Sequence, residues 1–234
     1  MNEISDSKTQ LLISPKKIAI STNLNSNFDI IHESEIFIPD SNDEINFEIL
    51  SKFLNENIYK IEKKSKSFVE KLNLIIDCKY FLTVGISVKK NTVNGSVNRD
   101  DIIYLLNDAK EQCKKSSEGK KIIHLLIKNY RLDNNNYLHI PKDVKYKNFS
   151  LDLEFIYLSE EIIQKVEQVL KKYQILIDQI ISLEYLRVFF DERSDNTFLL
   201  AKKITEGCNE NEVDIISKIP KNIGFFEKFF NFFS

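Results

Sequence analysis

The sequence predicts an α/β fold of the α+β kind, in which strands are interspersed with amphipathic helices. Residues 151–158 alternate Leu and Phe with Asp and Glu, which is the period of a half-buried strand. In residues 47–72, apolar side chains recur every three or four positions between Lys and Glu, as in a helix buried on one face. The chain has 234 residues, of which 42% are hydrophobic, so it is long enough to bury a sizeable core.

The first elements precede that helix. Residues 1–10 are polar and are expected to form a disordered tail. Two β-rich runs, 17–21 and 28–38, predict strands joined by an Asn- and Ser-rich turn. Asn42 or Asp43 is expected to cap the start of the helix.

The middle of the chain is predicted to be mostly strand around one further helix. Asn98 is a suitable cap for that helix, which is expected to end near Ser116. Strands are expected at 80–87, 92–97, 122–127, 137–140 and 151–158.

The next segment predicts a helix, a strand and a short helix. Ser159 is expected to cap the first helix, with Glu160 and Glu161 in a first turn that favours negative charge. The strand is expected at 175–181 and the short helix at 183–190. Beyond these elements, residues 191–218 are polar and weakly periodic, which indicates a linker.

Residues 219–234 predict a short amphipathic helix. At about 100° per residue, its apolar side chains fill one half of a helical wheel, and its polar side chains fill the other. Three interpretations stay open: the helix docks on its own domain, lies in a membrane interface, or fits a protein groove. The membrane-binding candidates are Ile223, Phe225, Phe226, Phe229, Phe230 and Phe233, with Lys221 and Lys228 beside them.

Composition excludes several classes of function. The net charge of −2 gives no general attraction for nucleic acid. The three cysteines are Cys78, Cys113 and Cys208, and their wide spacing favours reduced thiols over a disulfide framework or a zinc site. The N-terminus lacks the apolar core of a secretory signal, and no apolar run approaches the roughly 20 residues that span a bilayer. Any membrane contact is therefore expected to be peripheral.

The sequence contains no pattern typical of catalysis. Its five glycines are isolated, so no phosphate-binding loop is present, and no histidine stands in a metal-binding motif. We therefore predict no catalytic residue, metal or cofactor, and no enzymatic activity. His124 lies in an apolar run, which indicates a core histidine with satisfied hydrogen bonds.

The segment His124-Leu-Leu-Ile-Lys-Asn-Tyr130-Arg-Leu-Asp133 resembles the H-x-I-P-x-x-Y-x-L/I-D segment of the bacterial cell-division protein FtsA. Ile127 stands where that family has proline. The predicted elements around the segment follow the family's order, and the Phe-rich end matches its membrane-targeting tail in place and character.

The resemblance implies a partial actin-like lobe, of the ribonuclease H-like type, formed by residues 11–79 and 159–190. Residues 80–158 would be a strand-helix-strand-strand insertion. The family's phosphate loop is replaced here, because Leu12 and Ser14 occupy the positions of its acidic residue and its glycine. The second phosphate loop is missing after residue 192, so the resemblance is to a shortened form without the nucleotide-binding half.

The implied function is that of a peripheral adaptor at the cytoplasmic side of the bacterial inner membrane. Residues 80–158 would dock division proteins or another copy of the chain, whereas the family's contact with FtsZ lies in the missing half. Alternatives are a platform subunit of type IV pilus assembly resembling PilM, a soluble enzyme or nucleotide switch, and a structural remnant with a self-docked tail.

The altered loop leads to a direct test. Calorimetric titration of the full chain with ATP and Mg²⁺ is expected to give no heat beyond that of Mg²⁺ alone, because a carboxylate for the ion and a backbone cradle for the phosphates are both missing. Binding in the micromolar range would contradict the assignment of Leu12 and Ser14.

Overall fold

The structure is a computed structural model that describes residues 7–24, 29–39, 42–95, 99–113, 117–140, 145–191 and 196–213. These residues form two sheets, each covered by helices, around three adjoining apolar clusters. None of the helices in the described ranges is long and apolar enough to cross a membrane.

The first sheet has five strands in the order β3-β2-β1-β4-β9. Three of them form an antiparallel meander at the N-terminus, and the other two run parallel to β1. The strands are β1 (Ser7–Ile13), β2 (Lys17–Leu24), β3 (Ile30–Phe37), β4 (Lys71–Ile76) and β9 (Leu176–Ser182). Helices α1 (Phe47–Ser65) and α3 (Glu160–Lys171) share one apolar cluster with this sheet.

The second sheet has four antiparallel strands in the order β5-β8-β6-β7. They are β5 (Phe81–Gly95), β6 (Lys120–Leu132), β7 (Asn135–Tyr137) and β8 (Tyr146–Ser159), and helix α2 (Arg99–Cys113) shares the cluster on one face. Two short helices, α4 (Leu183–Phe189) and α5 (Thr197–Thr205), belong to the third cluster, which joins the sheets.

The periodic segments fold largely as predicted. The strand patterns of 122–127 and 151–158 lie inside β6 and β8, and α4 begins at Leu183 as expected. The two runs 80–87 and 92–97 belong to one continuous strand, β5, as far as Gly95. Ser159 precedes α3, but its side chain makes no capping hydrogen bond.

The helix predicted over 47–72 is shorter than expected. It is capped by Asn46 rather than by Asn42 or Asp43, because the Asn46 side chain accepts hydrogen bonds from two backbone N–H groups of the first turn. It ends at Ser65, where Lys66 adopts a left-handed conformation with φ of 56°. The apolar residues from Leu72 onward form β4 instead.

Two segments expected to be irregular are ordered. Residues 7–10 belong to β1, where Thr9 and Gln10 are buried and the Thr9 and Thr22 hydroxyls are 3.1 Å apart. The predicted linker 191–218 contains α5, which is capped by Asn196 and buries Leu200 and other apolar side chains. Asn98, Ser116 and the predicted amphipathic helix 219–234 lie outside the described residues.

Strand β4 is an interior strand of the first sheet, between β1 and β9. Replacing Leu74, which is fully buried there, with Ala is expected to lower the free energy of unfolding by about 2–5 kcal/mol, because it removes apolar contacts and leaves a cavity. Urea denaturation measures this change. Leu176→Ala in β9 is the matched control, because Leu176 is 72% exposed and its loss is expected to be nearly neutral.

Candidate functional site

A groove of about 800 Å³ lies between α4 and the face of the second sheet that is opposite α2. The two sides of the groove differ in chemistry. Its lining residues are Phe81, Thr83, Leu126, Ile127, Lys128, Leu138, Glu154, Ile156, Ser182, Glu184, Tyr185, Val188, Phe189, Asn209 and Asn211.

The apolar side of the groove is supplied mainly by α4. This helix buries Leu183 and Leu186 in the third cluster, and it leaves Val188 and Phe189 at the groove with exposures of 69% and 39%. Leu138, which is 67% exposed, adds a further apolar side chain. The groove therefore exposes apolar surface that the described residues leave uncovered.

The polar side of the groove comes from the open face of the second sheet. Lys128 and Glu154 form an ion pair with a distance of 3.4 Å across β6 and β8. Glu184 contributes a second carboxylate from α4. The groove lining thus holds two acidic groups and one basic group, an excess of one negative charge.

His124 connects three segments beneath the groove. Its Nε2 accepts a hydrogen bond from the backbone N–H of Ser182 at 3.1 Å, where β9 meets α4. Its Nδ1 lies 2.6 Å from a carboxylate oxygen of Glu212. Because Nε2 is an acceptor, Nδ1 carries the ring hydrogen and donates a hydrogen bond to Glu212. The side chain of His124 is almost fully buried, so it is the satisfied core histidine that the sequence indicated.

Tyr185 completes this cluster, which we call the His124 clamp: His124, Ser182, Tyr185, Asn209 and Glu212. The Tyr185 hydroxyl donates to Glu212 at 2.7 Å and accepts from the Asn209 amide at 2.7 Å. Its ring lies against that of His124, with centroids 4.5 Å apart. Burial, with a smaller contribution from the hydrogen bond to Glu212, raises the pKa of Tyr185 well above its usual range.

The clamp holds the last described segment against β6. The backbone N–H of Ile127 donates to Asn211 at 2.8 Å, and that of Val213 donates to Leu125 at 2.8 Å. Residues 211–213 therefore extend the second sheet by a short antiparallel bridge. The chain leaves the described region at Val213, beside this sheet.

The other two residues of the family segment have structural positions. Tyr130 is buried in the cluster of the second sheet. Asp133 lies in the turn after β6 with φ of 52°, and its carboxylate accepts backbone hydrogen bonds from Asn148 and Lys147. These bonds, that from Asn148 above all, hold the pKa of Asp133 below its usual range.

Residues 12–17, which the resemblance sets at the position of the family's phosphate loop, include a closed turn between β1 and β2. The backbone N–H of Ser14 donates to the Lys17 carbonyl at 2.8 Å, and the backbone N–H of Lys17 donates to the Ser14 hydroxyl at 2.9 Å. Leu12 is buried in the third cluster. These two N–H groups are therefore unavailable to an anion. Within the described ranges, no group of three His, Cys, Asp or Glu side chains is placed to hold a metal ion.

Sequence inspection missed most of the groove. Glu212 lies 88 residues from His124, and Tyr185 and Val188 stand in a helix whose exposed side had no predicted role. The membrane-binding candidates Ile223, Phe225, Phe226, Phe229, Phe230, Phe233, Lys221 and Lys228 lie outside the described residues.

Solved structures resemble this chain at very low sequence identity. No protein-family model and no curated protein sequence matches the chain. A PilM–PilN type IV pilus biogenesis complex contains a chain with 8% identity and a TM-score of 0.51, over 79% of this chain and 50% of that one. The cytoplasmic domain of EpsL, an inner-membrane component of the type II secretion system of Vibrio cholerae, gives 7% identity and a TM-score of 0.40, over 77% and 59%.

The first likeness confirms the actin-like fold class that the sequence predicted. The chain spans half the length of the PilM–PilN complex chain and 59% of the EpsL domain. The narrower assignment to the cell-division family rests on the sequence segment and the tail alone.

The His124 clamp yields a testable prediction. Glu212→Ala leaves the Nδ1–H of His124 and the hydroxyl of Tyr185 without an acceptor, at a cost of about 1–3 kcal/mol. Amide hydrogen exchange is expected to speed up at Ile127 and Val213, whose N–H groups bond across this junction.

Glu210→Ala is the matched control for this exchange experiment, because Glu210 is an exposed carboxylate two residues away. Equal exchange in the two variants would show that Glu212 does not hold the segment on β6.

Proposed function

We propose that this chain is a non-enzymatic docking platform of a membrane-associated assembly, and that the groove beside α4 binds an extended segment of another protein. The exposed apolar side of the groove carries the proposal. Val188, Phe189 and Leu138 leave apolar surface uncovered, facing charged groups on the opposite side. Apolar surface bordered by polar groups is typical of interaction sites.

The charges indicate what kind of segment fits. The groove has two acidic groups, Glu184 and Glu154, and one basic group, Lys128. A partner segment with a basic side chain beside small aliphatic ones would therefore complement its charge. The cavity of about 800 Å³ lies within the roughly 300–1,000 Å³ range of ligand sites. It is large enough for several side chains of a peptide.

The titratable groups near the groove support binding rather than catalysis. His124 and Glu212 hydrogen-bond to each other, and Tyr185 donates to the same carboxylate. A general base needs an acceptor position that its neighbours do not occupy. We therefore propose that the clamp shapes the groove and transfers no proton, and that the chain uses no cofactor.

Membrane attachment is assigned to residues 219–234. The apolar half of that predicted helix suits the headgroup boundary of a membrane, and Lys221 and Lys228 suit anionic lipid. The proposed location is the cytoplasmic side of a bacterial inner membrane.

Two assemblies are candidates for the partner. A pilus- or secretion-type platform is favoured by the fold likeness to a chain of the PilM–PilN complex, in which the two named proteins associate. A role like that of FtsA in cell division is favoured by the segment from His124 to Asp133 and by the Phe-rich tail. In either assembly, the segment that binds in the groove would belong to another protein.

Site-specific photo-crosslinking in the native cell tests the groove. A photoreactive phenylalanine analogue at Val188, which is 69% exposed in the groove, is expected to form a covalent adduct with a pilus, secretion or division protein. Mass spectrometry of the adduct identifies which assembly is correct.

The analogue at Tyr59, which is 70% exposed on α1, is the matched control and is expected to give no such adduct. Adducts of equal yield at both positions, or none at Val188, would contradict the groove as the docking site.

Vesicle co-sedimentation tests the membrane contact. The full chain is expected to pellet with vesicles of phosphatidylcholine and phosphatidylglycerol, and a chain of residues 1–218 is expected to stay in the supernatant. Phe229→Glu should abolish pelleting because it charges the centre of the apolar arc. Asn231→Glu makes the same charge change on the polar arc and should largely retain it. Pelleting of the 1–218 chain would show that the tail is not the anchor.

A further inference from the structure

Strand β5 forms an edge of the second sheet, and eight of its residues form a run without charge or proline. Among the described residues, the run Phe81-Leu-Thr-Val-Gly-Ile-Ser-Val88 pairs with β8 on one side and with no strand on the other. Long apolar edge strands are templates for pairing with another chain, and proteins usually protect them with charges, proline or bulges. The register with β8 is continuous from Phe81 to Asn91, so no bulge interrupts this run.

The other sheet edges in the described part of the chain carry such protection. Strand β3 contains Glu33 and Glu35, and β9 contains Asp178. Strand β7 is only three residues long. Strand β5 carries charge only beyond the run, at Lys89 and Lys90, so the residues from Phe81 to Val88 themselves have no such protection.

Gly85 stands at the centre of the run, where no described residue requires a glycine. It does not require a positive φ, and among the described residues a Cβ added there would meet only the Leu153 carbonyl oxygen, at 4.0 Å. Glycine weakens a strand interior, and it often marks a place where another backbone approaches closely. The space beside Gly85 would admit such a backbone.

The residues around Gly85 are chemically symmetric. In an antiparallel pair of two copies centred on Gly85, each residue faces the one at the same distance on the other side. The facing pairs are Val84 with Ile86, Thr83 with Ser87, and Leu82 with Val88. Each pair matches β-branched with β-branched, hydroxyl with hydroxyl, or aliphatic with aliphatic, which are favourable cross-strand pairs.

The two faces of the strand suit this arrangement. Thr83, Gly85 and Ser87 are exposed on the open face of the sheet. On the α2 face, Leu82, Val84 and Ile86 are only partly buried and pack against the second cluster. A second β5 would cover the remaining apolar surface and join the two clusters across a two-fold axis.

We propose that two copies of the chain associate through their β5 strands, antiparallel about Gly85, to form one continuous eight-stranded sheet. The occupant of this edge is a second copy because the run complements itself, as an isologous interface requires. The groove beside α4 adjoins this interface, since Phe81 and Thr83 belong to the run and also line the groove.

Sedimentation equilibrium of the full chain over a concentration series tests the proposal. The wild-type chain is expected to dimerise reversibly. Gly85→Lys is expected to be monomeric, because two lysines would face each other across the axis with their Cβ atoms about 4.5–5.5 Å apart, and like charges in facing positions repel. The same substitution should not unfold the monomer, since position 85 faces Glu154 of β8.

Two further variants make the outcome specific. Asn136→Lys places the same charge on the opposite edge of the same sheet and should dimerise like the wild type. Gly85→Glu alone should also be monomeric, and it should be somewhat less stable than Gly85→Lys because it faces Glu154 of β8. Mixing the two variants should restore a heterodimer because opposite charges then face each other. Circular dichroism confirms that each variant is folded.

The association states of the wild-type chain, the variants and their mixture test the β5 interface. Loss of the dimer in both Gly85 variants and its return on mixing would establish the β5 interface. Any one of three results would overturn the proposal. The wild-type chain could stay monomeric at all concentrations, Gly85→Lys could dimerise normally, or the mixture could give no heterodimer.

Discussion

The hydrogen bonds of His124 join three segments of the fold. This one side chain of β6 accepts from the start of α4 and donates to Glu212 in the last described segment. It therefore links the second sheet to the end of β9, beside the apolar cluster that also joins the two sheets, and it helps to hold residues 211–213 on β6. A buried imidazole suits this role because its two nitrogens lie on opposite sides of the ring and face different segments. Leaving either nitrogen unpaired at this depth would cost about 1–3 kcal/mol.

The groove follows from this constraint. Because Ser182 is held by His124 and caps α4, the direction of that helix is set at its first residue. Leu183 and Leu186 then face the core, and Val188 and Phe189 remain at the groove. The apolar surface of Val188 and Phe189 thus belongs to a helix rather than to a loop. Such a preformed surface loses little entropy when a partner binds.

The turn between β1 and β2 has a structural role. It uses its own N–H groups, and Leu12 contributes to the core that joins the sheets. Residues at this position therefore stabilise the fold. The proposed docking role needs no nucleotide at this turn.

Local patterns predicted those elements whose sequence signal is strong. The alternation in β8, the apolar face of α3 and the start of α4 each lie within one short segment. The boundary between α1 and β4 was wrong because Leu72 continues the helical spacing, and only the left-handed Lys66 stops the helix.

Contacts between distant residues explain the remaining differences. Residues 7–10 become ordered by pairing with β2, and α5 becomes ordered by burial against the third cluster. The clamp between His124 and Glu212 joins positions 88 residues apart, so no local pattern indicates it. The actin-like fold, in contrast, was predicted from the order of elements around one segment.

Hydrogen exchange can show whether a partner binds in the groove beside α4. Exchange is compared for the full chain alone and after reconstitution with the membrane proteins of its own cell. We expect slower exchange in α4 and in residues 126–128 of β6, with no change in α1. Slower exchange confined to α1 or β3, with α4 unchanged, would contradict it.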